Sequence, residues 1–244
     1  MSNNYRDKIY KVYTSTSMRV EPEEINQDYL MRGYTIYNGY FKRHIPKDKS
    51  KRILDVGCGH GGFVNYLQQN GYVNSFGVDT SEEQIKVGER LKIKNLEKGD
   101  AFEYLRKHEN SFDFISLLDV LEHFDKDEIM EILEVVNGAL AKDGKILIRT
   151  INGESPLHGK LRYGDLTHEI AFTTESMEQI LEICNFDSFS FFPIEPAVHG
   201  IKSFGRAILW KVIKLFLRFY LLVETGSLGD GILTQNFVTV AKKK

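Results

Sequence analysis

Short, nearly continuous apolar runs alternate along this chain with stretches whose apolar residues recur at helical spacing. Residues 51–56, 73–78, 95–98, 112–118 and 145–151 read as strands. Between them, 61–69, 81–91, 101–107 and 126–140 read as helices. Ser81 is placed to cap its helix, with Glu82 and Glu83 in the first turn, and Lys142-Asp143-Gly144 closes the helix before the fifth strand. Phe112–Leu118 is apolar at almost every position, as strands covered on both faces are. Strictly alternating elements of this kind predict an α/β fold with a doubly wound, mostly parallel sheet.

The two ends differ from this middle. Residues 1–46 are polar and aromatic, with helical spacing clearest from Ile25 to Phe41, and predict a helical cap ahead of a domain spanning 47–244. After the fifth strand, 152–172 is a long polar loop, of the length usually reserved for function. A helix (174–184), a strand (186–193), a long helical segment (199–223) within an insertion to 224, and a last strand (232–241) complete the chain. There is no internal repeat, and low complexity is confined to Lys242–Lys244.

The 244 residues can bury one large core. A net charge of −2 excludes a general nucleic-acid binder. Two distant cysteines, Cys58 and Cys184, form neither a disulfide framework nor a zinc site, which fits a reduced, cytoplasmic setting; Cys58 reads as a small buried filler. The first ten residues lack a signal-type apolar core, and no window has the run of about 18 apolar residues that a spanning helix needs. A soluble protein is expected.

The candidate chemistry begins at Ile53-Leu54-Asp55-Val56-Gly57-Cys58-Gly59-His60-Gly61-Gly62-Phe63. A strand here turns through glycines into a helix, so backbone can approach an adenine-nucleotide-like ligand. Spacing alone leaves two patterns open: Gly57-x-Gly59-x-x-Gly62 matches the dinucleotide fingerprint, and Gly57-x-Gly59-x-Gly61 another. Asp79, ending the second strand, suits ribose hydroxyls in either case. Asp100-Ala101 after the third strand offers an acceptor and an N–H to adenine. The stretch Asp119-Val120-Leu121-Glu122-His123-Phe124 adds acids where pyrophosphate would want N–H groups. Asp55, Asp79, Asp100 and Asp119 at strand ends suit a ligand with sulfonium and ammonium centres, which favours S-adenosylmethionine over a dinucleotide.

On these residues, with Gly77-Val78-Asp79-Thr80-Ser81 and Lys142-Asp143-Gly144-Lys145-Ile146-Leu147-Ile148-Arg149-Thr150, the chain resembles class I S-adenosylmethionine-dependent methyltransferases from about Arg52 to Ile151. The resemblance implies a Rossmann-like, seven-stranded sheet with its last strand antiparallel, and the cofactor at the carboxyl ends of strands one to four. It also implies that Asp55, Gly57 and Gly59 line the methionine portion, that Asp79 binds ribose and Asp100 with Ala101 adenine, and that Asp119 lies near the methionine or the substrate mouth.

For the acceptor, the loop stretch Asp165-Leu166-Thr167-His168-Glu169-Ile170-Ala171-Phe172-Thr173 resembles one in methyltransferases of bacterial surface-polysaccharide and glycan biosynthesis. A hydroxyl acceptor needs a general base. His168 is the candidate, oriented by Asp165 or Glu169; it equally reads as a loop anchor before a helix capped by Thr173 or Thr174. His123 is the competing candidate, read more readily as shaping the cofactor side. Asp119, Asp165 and His168 could be imagined on Mg²⁺, but their spacing gives no support, and no metal is expected. Arg32, beside Tyr34 and Tyr37 in the cap, is a candidate partner for the methionine carboxylate.

Residues 199–223 carry Lys202, Arg206, Lys211, Lys214 and Arg218 among apolar and aromatic residues, with no acid before Glu224. Two readings follow: a segment that covers the substrate mouth or forms a homodimer contact, which is the favoured one, and a helix lying peripherally in a membrane interface. The expected function is O-methylation of a saccharide or lipid-linked glycan intermediate. The alternatives are O-methylation of a quinone precursor or other small aromatic, and a non-catalytic cofactor-binding module acting through the basic helix.

Overall fold

The computed structural model describes residues 5–17, 19–198 and 200–244. The parts of the expected cap at 1–4 and Met18, and His199 of the expected insertion, lie outside the described residues. Seven strands form one sheet: β1 (Ile53–Val56), β2 (Ser75–Asp79), β3 (Leu96–Lys98), β4 (Phe112–Leu118), β5 (Leu140–Ile151), β6 (Phe186–Pro193) and β7 (Asn236–Lys243). Their order is β3-β2-β1-β4-β5-β7-β6. β1 to β5 are mutually parallel, and β7 runs antiparallel to both β5 and β6, as the resemblance implied. The order reverses direction at β1, so the crevice at the carboxyl ends of β1 and β4 is the place where such sheets bind ligands.

Ten α-helices accompany the sheet among the described residues: α1 (Tyr5–Tyr10), α2 (Tyr13–Thr16), α3 (Gln27–Ile36), α4 (Gly62–Gln69), α5 (Glu82–Arg90), α6 (Ala101–Arg106), α7 (Lys126–Ala139), α8 (His158–Arg162), α9 (Thr174–Ile183) and α10 (Ile201–Thr225). Side-chain caps fix several of their starts. Ser81 accepts from Gln84 N, Asp100 from Glu103 N, and Asp125 with Glu128 and Thr173 with Ser176 form reciprocal boxes.

Because successive strand residues face opposite ways, the core divides by alternation. Leu54, Ile115 and Ile146 face Ile132, Leu133 and Val136 of α7 and Leu181 of α9. Their neighbours Ile53, Phe114 and Leu147 face Phe63 and Leu67 of α4 together with Phe41 and Ile45 from the amino-terminal segment. That segment therefore completes the core on one face of the sheet. Each such fully buried side chain contributes about 1.5–3 kcal/mol.

Several boundaries move from expectation. β2 starts at Ser75 rather than Val73, which is 71% exposed in the preceding turn. β5 starts at Leu140, because Leu140 already pairs with Phe112 and a bulge between Phe112 and Phe114 absorbs the offset. β7 starts at Asn236; residues 232–235 instead lie against Asn152, whose side chain donates to Ile232 O and Thr234 O. The loop of 152–172 contains α8, and the helical spacing of the cap ends in a π turn, Tyr37–Phe41. No helix among the described residues is long and apolar enough to cross a membrane.

Gly88, inside α5, tests the packing. A Cβ there would lie 2.3 Å from Leu96 Cδ1 and 3.0 Å from the His60 carbonyl. Gly88→Ala gains about 1 kcal/mol of helix propensity but meets an overpacking cost of about 1–3 kcal/mol. Urea unfolding should show a net loss of stability. A more stable variant would contradict this packing.

Candidate active site

The turn after β1 is shaped by what it must avoid. Gly57 has φ +67°, and a Cβ on it would stand 2.6 Å from Val120 Cγ2, in the turn after β4. Glycine therefore lets the carboxyl ends of β1 and β4 close on each other. Gly61, at φ +80°, caps α4 with no room for a Cβ beside Leu96.

Asp79 ties the turn down: its Oδ2 accepts from Gly59 N at 2.8 Å and its Oδ1 from Ser81 N at 2.7 Å. Burial pushes its pKa up, against the pull of those two N–H groups. The carboxylate retains acceptor capacity for hydroxyls. Asp55 is buried beside its register partner Ser116, whose Oγ donates to it at 2.7 Å. Burial raises Asp55 to about 7, the nearby Asp79 charge adds to the rise, and the Ser116 bond opposes it.

Asp119 sits at φ +59° and pairs with Arg149 Nη1 at 3.1 Å; the two are β4–β5 neighbours, since Asp119 N donates to Arg149 O. The Asp119 Oδ1 and Arg149 Nε atoms are both buried and have no hydrogen-bond partner among the described residues. Burial raises the Asp119 pKa, opposed by Arg149 and His168. Glu122, also buried, accepts from Thr150 Oγ1 at 2.9 Å and is pushed up by burial and by Asp119. At the far side, Asp100 is exposed and caps α6, which places Ala101 at the first position of that helix. Arg32 stands apart from this group: it is exposed, with its guanidinium 5.9 Å from the Tyr29 ring centroid. Tyr37 of the cap feels the acids: its pKa is raised by burial and then by Asp55 and Asp119, against Arg149.

The acceptor side brings two imidazoles together. The His123 and His168 ring centroids are 4.7 Å apart. His168 Nδ1 lies 2.8 Å from Leu161 O, a pure acceptor, so Nδ1 carries the proton and Nε2 the lone pair. Thr167 Oγ1 donates to Asp165 Oδ1 at 2.7 Å, so it accepts from His123 Nδ1 at 2.8 Å. This chain corrects the expected pairing. Asp165 orients His123 through Thr167, Glu169 bonds Tyr5 and Arg6, and a backbone carbonyl orients His168. Burial lowers the His123 pKa to about 4, with the neighbouring His168 adding to the effect. Arg162 holds the loop by donating to the His168 and Glu169 carbonyls. Tyr10 and Tyr13 close over His123, with ring centroids at 6.3 and 6.2 Å.

Asp55, Gly57, Gly59, Asp79 and Asp119 thus gather at the carboxyl ends of β1, β2 and β4, with Asp100 and Ala101 at the end of β3, while His123, His168 and Asp165 form a group of their own beyond β4 and β5. Arg149, Glu122 and Thr167 were not singled out from sequence. Only the β4–β5 register, with Leu118 beside Arg149, exposes the first of them. The donor set fits S-adenosylmethionine: Asp55 and the unpartnered Asp119 Oδ1 supply anions for cationic centres, Arg149 Nε an N–H for a carboxylate, and Asp79 acceptors for vicinal hydroxyls. Among the described residues, no group of three or more His, Cys, Asp or Glu is placed to hold a metal ion.

A family profile described as a methyltransferase domain matches residues 32–189. The ubiquinone biosynthesis O-methyltransferase of Idiomarina loihiensis is 30% identical over 122 residues, covering 47% of this chain and 48% of that protein. The cyclopropane-fatty-acyl-phospholipid synthase of Escherichia coli is 30% identical over 103 residues, covering 42% and 27%. The chain thus spans less than half the length of either relative. A solved S-adenosylmethionine-dependent methyltransferase from Archaeoglobus fulgidus superposes with a TM-score of 0.65 at 24% identity, covering 98% of this chain and 100% of that one.

Loss of Asp79 should remove both the ribose acceptor and the anchor of the Gly59 turn. Calorimetry on Asp79→Ala should show S-adenosylhomocysteine binding weakened about tenfold to a hundredfold, the range of hydrogen bonds to a charged group. Unchanged affinity would remove Asp79 from the site.

Proposed function

The chain belongs to the methyltransferase-domain family, with S-adenosylmethionine as its cofactor, and we propose that it methylates a hydroxyl of a saccharide or lipid-linked glycan. The observation that carries this reading is the imidazole pair. Both Nδ1 atoms face acceptors, which in a neutral ring leaves the lone pair on Nε2; of the two, His168 is the base, and an oxygen nucleophile is the acceptor that needs one.

When bound, the cofactor supplies an electrophilic methyl group on a sulfonium whose leaving sulfide is neutral. Asp55 and Asp119 would hold the cationic donor, and Arg149 sets an opposite charge against the half-buried Asp119. His168 takes the acceptor proton at Nε2, while the Leu161 carbonyl fixes its tautomer. His123, held neutral by burial and positioned through Thr167 and Asp165, forms the wall beside it. Tyr10 and Tyr13 exclude water from that wall.

Support for an amphiphilic acceptor comes from a cavity of about 710 Å³ between α3, the start of the 152–172 loop and α10. Its lining joins polar Ser155 and Asn236 to apolar Ile36, Leu157, Ile213 and Leu217. One of the relatives is named for a fatty-acyl-phospholipid. A second reading, a small aromatic hydroxyl, draws on the tyrosine wall at His123 and on the relative named for ubiquinone biosynthesis.

Incubating the enzyme and labelled donor with glycan and lipid fractions, followed by mass spectrometry, should mark a glycan-bearing product. His168→Ala should retain S-adenosylhomocysteine affinity while turnover falls about 10²- to 10⁴-fold. Intact turnover would exclude His168 as the base, and label only in small aromatics would favour the second reading.

A further inference from the structure

The outer face of α10 has no partner among the described residues. Ser203, Ala207, Trp210, Lys214, Leu217 and Leu221 recur at spacings of three and four, and all are buried or half-buried against the rest of the protein. On the opposite side Ile201, Phe204, Ile208, Val212, Leu215 and Phe219 recur with the same spacing, and each is between 47% and 92% exposed. This one face of the helix thus presents a continuous apolar row to solvent, where a monomer normally keeps such patches small. The exposed cations Lys202, Arg206 and Lys211 fall at the edges of this face, and the helix carries no acid before Glu224.

We propose that α10 docks the protein in the plane of an anionic lipid bilayer, its outer face among the acyl chains and Lys202, Arg206 and Lys211 at the headgroups. A helix with an apolar face of this breadth and a cationic margin has the chemistry of an interfacial helix, and it is not apolar enough to span. Charge decides between occupants. A second copy packed on this face would bring one cationic margin toward another, with Glu224 the single acid of α10 to set against its five cations, whereas anionic headgroups meet both edges. Long Lys and Arg stems can lie along the apolar surface and hold their charges at headgroup level. The inference is independent of the acceptor's identity. It would bring the cavity beneath α10 close to a membrane-borne substrate.

The test is co-sedimentation of the full chain with phosphatidylcholine vesicles, with and without phosphatidylglycerol. Binding should be strong only with phosphatidylglycerol and should weaken as salt is raised. Replacing Lys202 and Lys211 together by Gln should weaken it roughly thirtyfold. Leu215→Glu with Phe219→Asp should abolish it while the circular dichroism melt stays unchanged, because both side chains face solvent. Three results would overturn the proposal: no sedimentation with either vesicle, equal binding to both, or a stable dimer in sedimentation velocity that Leu215→Glu dissociates while vesicles go unbound.

Discussion

Carboxylates gathered at the strand ends, Asp55 and Glu122 buried and Asp79 and Asp119 half-buried, are the constraint around which this structure is arranged. Asp55, Asp79, Asp119 and Glu122 all have their pKa values raised by burial. Buried like charges are costly unless met by hydrogen bonds or counter-charge. The chain offers partial answers: backbone N–H groups for Asp79, a serine for Asp55, a threonine for Glu122, and Arg149 for Asp119. Asp119 Oδ1 remains without a partner among the described residues. A cationic cofactor completes what the protein leaves partly met, which is why the same residues that burden the fold favour the donor.

The remaining features serve that cluster. The strand order reverses at β1, opening a crevice at the carboxyl ends of β1 and β4, and Gly57 lets the turn after β1 lie against Val120. The amino-terminal segment then covers it from above. Arg6 pairs with Glu128 at 2.6 Å, Thr14 N donates to Glu83, and Ser81 Oγ donates to Tyr10 O. On the acceptor side the loop after β5 is pinned where Gly153 N donates to Phe172 O, which fixes the base-bearing stretch beside His123.

Much of this was legible in the sequence because it is local. Strand ends, caps and glycine turns depend on residues within a few positions, and Asp55, Asp79 and Asp100 fall where alternation puts them. Contacts made across the sheet were not legible. Arg149 meets Asp119 through β4–β5 register, and Asp165 reaches His123 through Thr167 across 44 positions of chain. Arg32 and Tyr37 stand five residues apart, about 140° around a helix, so with the tyrosine turned inward the arginine turns outward. For α10, composition showed a cationic apolar helix, while only the fold reveals that its apolar face is the exposed one.

The central claim, that buried acids await a cation, is tested most directly by counting protons. A carboxyl whose pKa stands at about 7 in the free protein must ionise when a cationic group binds beside it. Calorimetry of S-adenosylmethionine binding near pH 6, repeated in buffers of different ionisation enthalpy, should show net proton release of about one per site. Release should be smaller for S-adenosylhomocysteine, which lacks the sulfonium charge. Proton uptake, or binding with no proton exchange at all, would contradict the account.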